Sequence, residues 1–583
     1  MKSFWKMTGA VILGIIIVSI LSLVFTFSIL GSLSSVGTSQ HKAQVPSSCV
    51  LVMDMARVSV AEQAAESNPL ESLYTGEETE TIGLWEAVQA INAAAADPAV
   101  QYIYLKTDNM ASSIAVAQEL RRALEHFRES GKAIVSYIEA PTTGSYYLSS
   151  VADKIYMTVH PGATTALTGV GSQMIFLGDL LDRLGVNVQL IRHGKYKSAG
   201  EMFTRSEASA ENLEQYQQMV NSLWASLSAD IAQSRGITVS ELDEAVDGLK
   251  LCTPADFLAC SLVDGLVTSD EMEEKLATLA VVDSYKDLKT ISFADYAAAK
   301  STVSTAREKI AVIYADGEIV DGSVKQQVAG DRFASIVRKV AEDDAVKAVV
   351  LRVNSPGGSV LASEKIRHEL DKLAENKPLV ASYGDYAASG GYWISCGCEK
   401  IFADAVTLTG SIGVFGTVPD FSKALKNVAH VNVQSVTSNK HGDMYGLTRP
   451  LDKAEYDYVL RSIDDIYGRF TSLVSEGRGI SVEQVDAVGQ GRVWTGSDAL
   501  GVKLVDETGT LEDAVAYAAV LAGESDLSKW DVQGYPKPLT VMEQMFSKLG
   551  GSESDEDILL SRFKGLDKVR IEARLPYEIE LSY

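Results

Sequence analysis

Three short segments in the second half of this 583-residue chain carry residue types suited to acyl transfer. Asn354-Ser355-Pro356-Gly357-Gly358 follows Val346 to Val353, an apolar, β-branched run that reads as a buried strand. Two adjacent glycines let the backbone approach a ligand closely and present N–H groups with no side chain in the way. Ala388-Ser389-Gly390-Gly391 sets a serine among small residues after a second predicted strand, Leu379 to Tyr383. A helix predicted from Tyr392 would bring its positive end to that serine. Thr409-Gly410-Ser411-Ile412-Gly413 could wall a groove. Each segment alone commonly serves only close packing. Together they describe a nucleophile beside an oxyanion hole, with Ser389 as the nucleophile.

A serine nucleophile requires a base. The seven histidines are His41, His126, His160, His193, His368, His430 and His441, and none stands in a setting that marks a triad. His193 and His441 occupy corresponding loops, which keeps a histidine base open. The alternative is a lysine held neutral by an apolar, dehydrated setting, because burial depresses an amine's pKa. His193-Gly194-Lys195-Tyr196-Lys197-Ser198-Ala199-Gly200-Glu201 is the candidate segment. Two lysines flanking a tyrosine ordinarily form a solvated basic loop, and residue chemistry alone leaves that reading ahead.

The elements that must position these residues occur twice. "DPAVQYIYLKTDNMASSIAVAQELRRAL" from Asp97 matches "DDAVKAVVLRVNSPGGSVLASEKIRHEL" from Asp343, 246 residues on. "TTGSYYLSSVADKIYM" from Thr142 matches "ASGGYWISCGCEKIFA" from Ala388 at the same offset. "LTGVG" answers "LTGSIG", and the Asn187-Val188-Gln189 triplet answers Asn432-Val433-Gln434. Several blocks in one order indicate a tandem duplication with halves at 47–300 and 301–535. Strand–turn–helix units recur in each half and predict an α/β, largely parallel layer structure. After the Gly357-Gly358 turn, Val360 to Leu373 has helical spacing, with Leu361, Ile366 and Leu370 read as one face. Residues 536–583 form a weakly patterned tail, with a helix expected over Leu539 to Leu549 and a docking segment beyond it.

Residues 8–31 contain no charged side chain. About 20 apolar residues span a hydrocarbon layer of roughly 30 Å. Lys2 and Lys6 precede the run, so positive-inside bias keeps residues 1–7 cytoplasmic and sends the body outward. A cleaved signal peptide competes with this reading. The run is longer than the roughly 7–15 residues of a signal h-region, and no clear A-x-A site follows. The expectation is therefore one transmembrane anchor and a polar tether over 32–46. A formal net charge of −25 disfavours nucleic acid as a partner. Cys49, Cys252, Cys260, Cys396 and Cys398 lack disulfide or zinc spacing, which leaves buried thiols as the default and no metal site expected.

"GDYAASGGYW" from Gly384, "TLTGSIGVFG" from Thr407 and "GKYKSAGE" from Gly194, with the glycine turn, resemble the long, duplicated form of the signal peptide peptidase A family. The resemblance covers essentially the whole chain. It implies a Clp protease/crotonase-like fold in each half, a Ser/Lys dyad and no cofactor. It carries the nucleophile to Ser389 of AASGG, the general base to Lys197 of YKSA, and the oxyanion hole to Gly357 and Gly390. The first half has Thr143 opposite Ser389 and Ala111-Ser112 opposite the paired glycines. The second half has Gly442 opposite Lys197, so one composite site per chain is expected. The resemblance further implies hydrophobic peptide substrates such as signal peptide remnants, homotetrameric bowls, and a bacterial inner-membrane protein whose body is periplasmic. A catalytically silent membrane scaffold of the same fold is a rival reading. So is a related serine peptidase or esterase with other substrates. Acyl-thioester chemistry of the crotonase type is weaker, for want of a coenzyme-binding basic cluster.

Overall fold

A computed structural model describes residues 44–64, 79–162, 164–301, 304–325, 327–538, 570–575 and 581–582. The apolar run at 8–31 and the expected tail helix at 539–549 lie outside the described residues. Among the described residues, no helix is long and apolar enough to cross a membrane.

Each half builds a parallel sheet from its valine- and isoleucine-rich runs. The first has the order Thr290–Ser292, Cys49–Asp54, Val100–Lys106, Ile134–Ile138, Lys154–Thr158, Gly265–Val267. The second is centred on Lys309–Asp316, Val346–Ser355 and Leu379–Ala388, all mutually parallel. Their near-continuous burial follows from helices covering both faces, as parallel sheets require. The repeat extends to helix caps. Ser113 starts Ile114–Glu129 and Ser359 starts Val360–Ala374, each accepting a backbone N–H from three residues on. Helices Ala210–Arg235 and Lys453–Arg478, both 26 residues, end on the left-handed Gly236 and Gly479.

The expected helical face needs one correction. Ile366 and Leu370 are buried, but Leu361 is 60% exposed. At 3.6 residues per turn Leu361 lies about 140° around the helix from Ile366, so it belongs to the opposite flank. The default for the cysteines holds for Cys49, Cys396 and Cys398, which are buried, and not for the exposed Cys252.

A third sheet joins the halves. Its order is Val328–Ala329, Ile319–Val320, Gly357–Ser359, Arg570–Arg574, Val414–Asp420, Asn187–His193. Asn187–His193 is contributed by the first half and runs antiparallel to Val414–Asp420 over seven pairs, His193 opposite Val414 and Asn187 opposite Asp420. Ile191 is thereby packed into the core of the second half.

A buried charge cluster makes a second link. Arg352, on the strand that leads to the glycine turn, donates from Nε and Nη2 to Glu62 at 2.8 and 2.9 Å. It also donates to Glu119 at 2.6 Å, to Ser382 Oγ and to the Tyr383 carbonyl. Glu62 and Glu119 come from the first half. Asp404 is buried nearby, and burial, then the negative field of Glu119, holds its carboxyl well above the usual carboxylate range. Truncating one member of such a cluster strands buried charges, at about 3–5 kcal/mol. Arg352→Met should therefore lower stability by about that amount, read as a lower urea midpoint. A midpoint equal to wild type would show that the cluster does not hold the halves together.

Candidate active site

Leu379–Ala388 delivers Ser389 to the N-cap of a short helix, Gly390–Ser395. Ser389 has φ 54° and ψ −108°, a left-handed conformation rare for a residue with a side chain. Its N–H donates to the Gly410 carbonyl at 2.8 Å, and its carbonyl accepts from Trp393 N at 2.8 Å, which hold this strained turn. Such strain persists where surrounding structure over-determines it, most often at functional sites.

Lys197 arrives from the other half. Beyond His193 the chain turns through Gly194 and reaches Lys197, whose carbonyl accepts from Arg192 at 2.9 Å. Arg192 also pairs with the buried Glu201 at 3.0 Å, and Glu201 accepts from the Ser209 N–H and hydroxyl. The segment read as a solvated loop is thus locked at both ends. Glycines of the second half admit the lysine stem. A Cβ on Gly491 (φ +82°) would stand 2.5–2.7 Å from Lys197 backbone and Cβ, and one on Gly413 would stand 3.2 Å from Lys197 Cδ.

Lys197 Nζ lies within hydrogen-bond distance of Ser389 Oγ at 2.8 Å, Ser411 Oγ at 2.9 Å and the Ser411 carbonyl at 3.1 Å, a set in which a neutral amine donates its two N–H groups at Ser411 and accepts from the Ser389 hydroxyl. All three residues are fully buried. Burial pulls the Lys197 amine well below the ordinary lysine range, and the Glu572 carboxylate acts in the opposite sense. A neutral amine with a lone pair toward a serine hydroxyl can accept its proton. Lys195 instead is exposed, its ammonium 4.8 Å from the centroid of the Tyr196 ring.

Gly357 and Gly390 are brought into near contact. A Cβ on Gly357 (φ +98°) would stand 2.6 Å from Gly390 N. The Gly357 N–H donates to Ser355 Oγ at 3.2 Å. The two candidate histidines are committed elsewhere. His193 pairs with Asp464 at 2.7 Å and stacks on Tyr467, while His441 pairs with Glu455 at 2.8 Å. His441, Asp452 and Glu455 form a group of metal-ligating types. Arg449 donates to both Glu455 oxygens at 2.7 Å, so a guanidinium already holds that position.

Two elements were not identified from sequence. Ser411 completes the amine's hydrogen bonds. Its signal is the repeat itself, since "LTGSIG" has one residue more than "LTGVG" and the extra residue is this serine. The other is where the docking segment expected in the tail would lie: Arg570–Arg574 is a strand of the third sheet. It lies antiparallel to both neighbours, with Ala573 opposite Gly358, Glu572 opposite Ser359 and Phe415, and Leu575 N donating to the Pro356 carbonyl.

The signature of Peptidase family S49 matches residues 126–283 and 371–525, one match in each half. The chain belongs to peptidase family S49. It is 34% identical over 456 residues to Protease 4 of Haemophilus influenzae, covering 76% of this chain and 74% of that one. It is 36% identical over 480 residues to Protease 4 of Salmonella typhi, covering 80% and 76%. It is also 30% identical over 468 residues to the chloroplastic serine protease SPPA of Arabidopsis thaliana, covering 79% and 68%. This S49 chain is accordingly a serine peptidase of the long form, with two copies of the family's domain.

The buried amine has a stability signature. The unfolded lysine titrates near 10.4 and the folded one lower, so between those values only the unfolded chain binds the proton. Stability linked to Lys197 therefore rises with pH across that window. Lys197→Met should melt at a higher temperature than wild type at pH 7, with the gap closing as pH approaches about 10. A gap that widens with pH would refute a depressed lysine pKa.

Proposed function

We propose that Ser389 is the nucleophile and Lys197 the general base of this peptidase. The observation that carries the reading is the 2.8 Å contact between a dehydrated lysine amine and a strained serine hydroxyl. Lys197 accepts the hydroxyl proton as Ser389 Oγ attacks the peptide carbonyl. The N–H groups of Gly357 and Gly390 hold the resulting oxyanion, the Gly357 N–H exchanging its bond to Ser355 for it. Lys197 returns the proton to the leaving amine, and water hydrolyses the acyl-enzyme.

The substrate follows from the slot beside Gly357. Strands Gly357–Ser359 and Val414–Asp420 present two facing edges, and an extended segment between them pairs with both, as Arg570–Arg574 does. An apolar peptide in this place satisfies its backbone on both sides and keeps water from Lys197. Hydrophobic peptides, signal peptide remnants among them by resemblance, suit such a site, with the chain assembled as a homotetramer.

Hydrolysis of an apolar fluorogenic peptide tests the assignment. Ser389→Ala and Lys197→Arg should each lose on the order of 10⁴-fold or more in kcat while remaining folded, since a guanidinium cannot accept the proton. Lys195→Arg should stay close to wild type. In the same assay, a chain lacking 570–583 should show a lower KM, because the slot is open. An active Lys197→Arg, or a dead His193→Ala beside it, would end the dyad.

The run at 8–31 supports an anchor that holds the body outside the cytoplasm of a bacterial inner membrane. Protease added to spheroplasts should then digest the body. Complete protection in intact spheroplasts would reverse the topology.

A further inference from the structure

Lys197 is gripped by three consecutive residues of the other half. The Tyr196 N–H donates to the Gln490 carbonyl at 2.9 Å, and the Lys197 stem lies against Gly491. The Gly491 N–H donates to the Ile412 carbonyl at 2.7 Å, and the Arg492 carbonyl accepts from the Ser411 N–H at 2.7 Å. Segment 490–492 therefore ties the main chain of the lysine to the serine that its amine touches. The grip needs two successive left-handed residues, Gln490 at φ 56° and Gly491 at φ 82°.

The side chain that closes the grip is Arg492. Its Cζ stands 4.9 Å from the centroid of the Tyr196 ring and 4.5 Å from that of Trp494, so one guanidinium joins a ring of each half. Nη1 reaches the Tyr196 hydroxyl at 3.5 Å, and that hydroxyl donates to Glu214 at 3.2 Å. Nη2 bonds Gln218 and lies 3.7 Å from Glu214. Nε is buried with no hydrogen-bond partner among the described residues. A guanidinium that forgoes a hydrogen bond while keeping two rings is placed for its plane and its charge. The duplication supplies a control. Aligning "LKLCTPADFLA" from Leu249 with "GRVWTGSDALG" from Gly491 sets Leu249, Lys250 and Cys252 in the places of Gly491, Arg492 and Trp494. Leu249 keeps the left-handed turn at φ 49°, but it is 78% exposed. Lys250 pairs with Glu244 at the surface, and Cys252 offers no ring. Stack and enclosed lysine thus go together.

We infer that Arg492 is a positioning residue for the Lys197 base: stacked on Tyr196 and Trp494, it clamps segments 196–197 and 490–492 together and shuts water from the lysine stem. The inference rests on the Ser/Lys reading. Without the clamp, water reaches the stem, the amine regains the hydration that favours its charge, and the base form requires a higher pH. The other charged groups around Lys197 are Arg192 and Glu201 at its carbonyl, Glu572 on the tail strand, and the His193–Asp464 pair at the turn before it. Lys195 and Glu214 flank Tyr196, and Asp486 stands behind Gln490. Substitutions at 196 and 492 leave all of these in place, so a shift in pH dependence reports the enclosure.

The test is kcat/KM for an apolar fluorogenic peptide against pH, on the full chain in detergent. Arg492→Met should move the acid limb up by about one pH unit, which is about tenfold in activity on that limb. KM and the alkaline plateau of kcat should stay within about twofold of wild type. Arg492→Lys should fall between the two, because an ammonium keeps the charge without the flat face. Tyr196→Leu should give the same shift as Arg492→Met, and the double variant no more than either alone. A merely structural Arg492 would lower the melting temperature and leave the limb in place. That result, a loss equal at every pH, or shifts that add in the double variant would overturn the proposal. Where Arg492→Met does not fold, Arg492→Lys and Tyr196→Leu decide it by the same limb. An active Lys197→Arg would strike the dyad itself, whereas an inactive one beside an unmoved limb strikes only the role of Arg492.

Discussion

A lysine amine stays uncharged only where water cannot reach it, and the architecture around Lys197 follows from that requirement. The side chain is four methylenes long and must be enclosed along its whole length. Gly413 and Gly491 of the second half leave room for the stem, and the Tyr196-Lys197-Ser198 segment supplies the remaining wall. Three oxygens then surround Nζ without a carboxylate in hydrogen-bond contact, so that the neutral amine donates twice at Ser411 and keeps its lone pair for the Ser389 hydroxyl. Enclosure of this kind needs walls from two directions. A lysine on one half and a serine on the other meet that need at their junction.

The junction is rigid for two different reasons. Seven antiparallel pairs between Asn187–His193 and Val414–Asp420 fix register, because a slip by one residue would turn Val188 and Ile191 out of the core. The Arg352 cluster fixes orientation, because its fork matches Glu62 and reaches Glu119 in one geometry only. Arg352 stands two residues before Asn354 on the strand that ends in the glycine turn, so the ionic contact between halves and the Gly357-Gly358 backbone share one rigid element.

Much of this was legible in the residues. The 246-residue offset revealed both halves, and the buried strands and the helix after Gly357-Gly358 appear where their periodicity placed them. Leu361 misled because one apolar residue at a helix start carries no phase information without its neighbours. The burial of Lys197 was beyond sequence chemistry, since its two-lysine loop reads as solvated until glycines 216 and 294 residues further on close over it. A docking segment was expected in the tail, but the two edges that Arg570–Arg574 joins were illegible for a related reason. Edge pairing uses backbone groups that every residue possesses, so a five-residue insertion between two distant strands leaves no side-chain signature.

If the slot takes substrate as proposed, the inserted strand sets a threshold on what can bind there. A segment tethered to its own site competes at a local concentration in the millimolar range, whatever the amount of enzyme. A dilute soluble peptide of ordinary affinity is excluded by such a competitor. A peptide held close to the site by some other contact gains local concentration in its turn, and meets the tether on equal terms. Discrimination then comes from how a peptide is held near the slot as well as from its sequence.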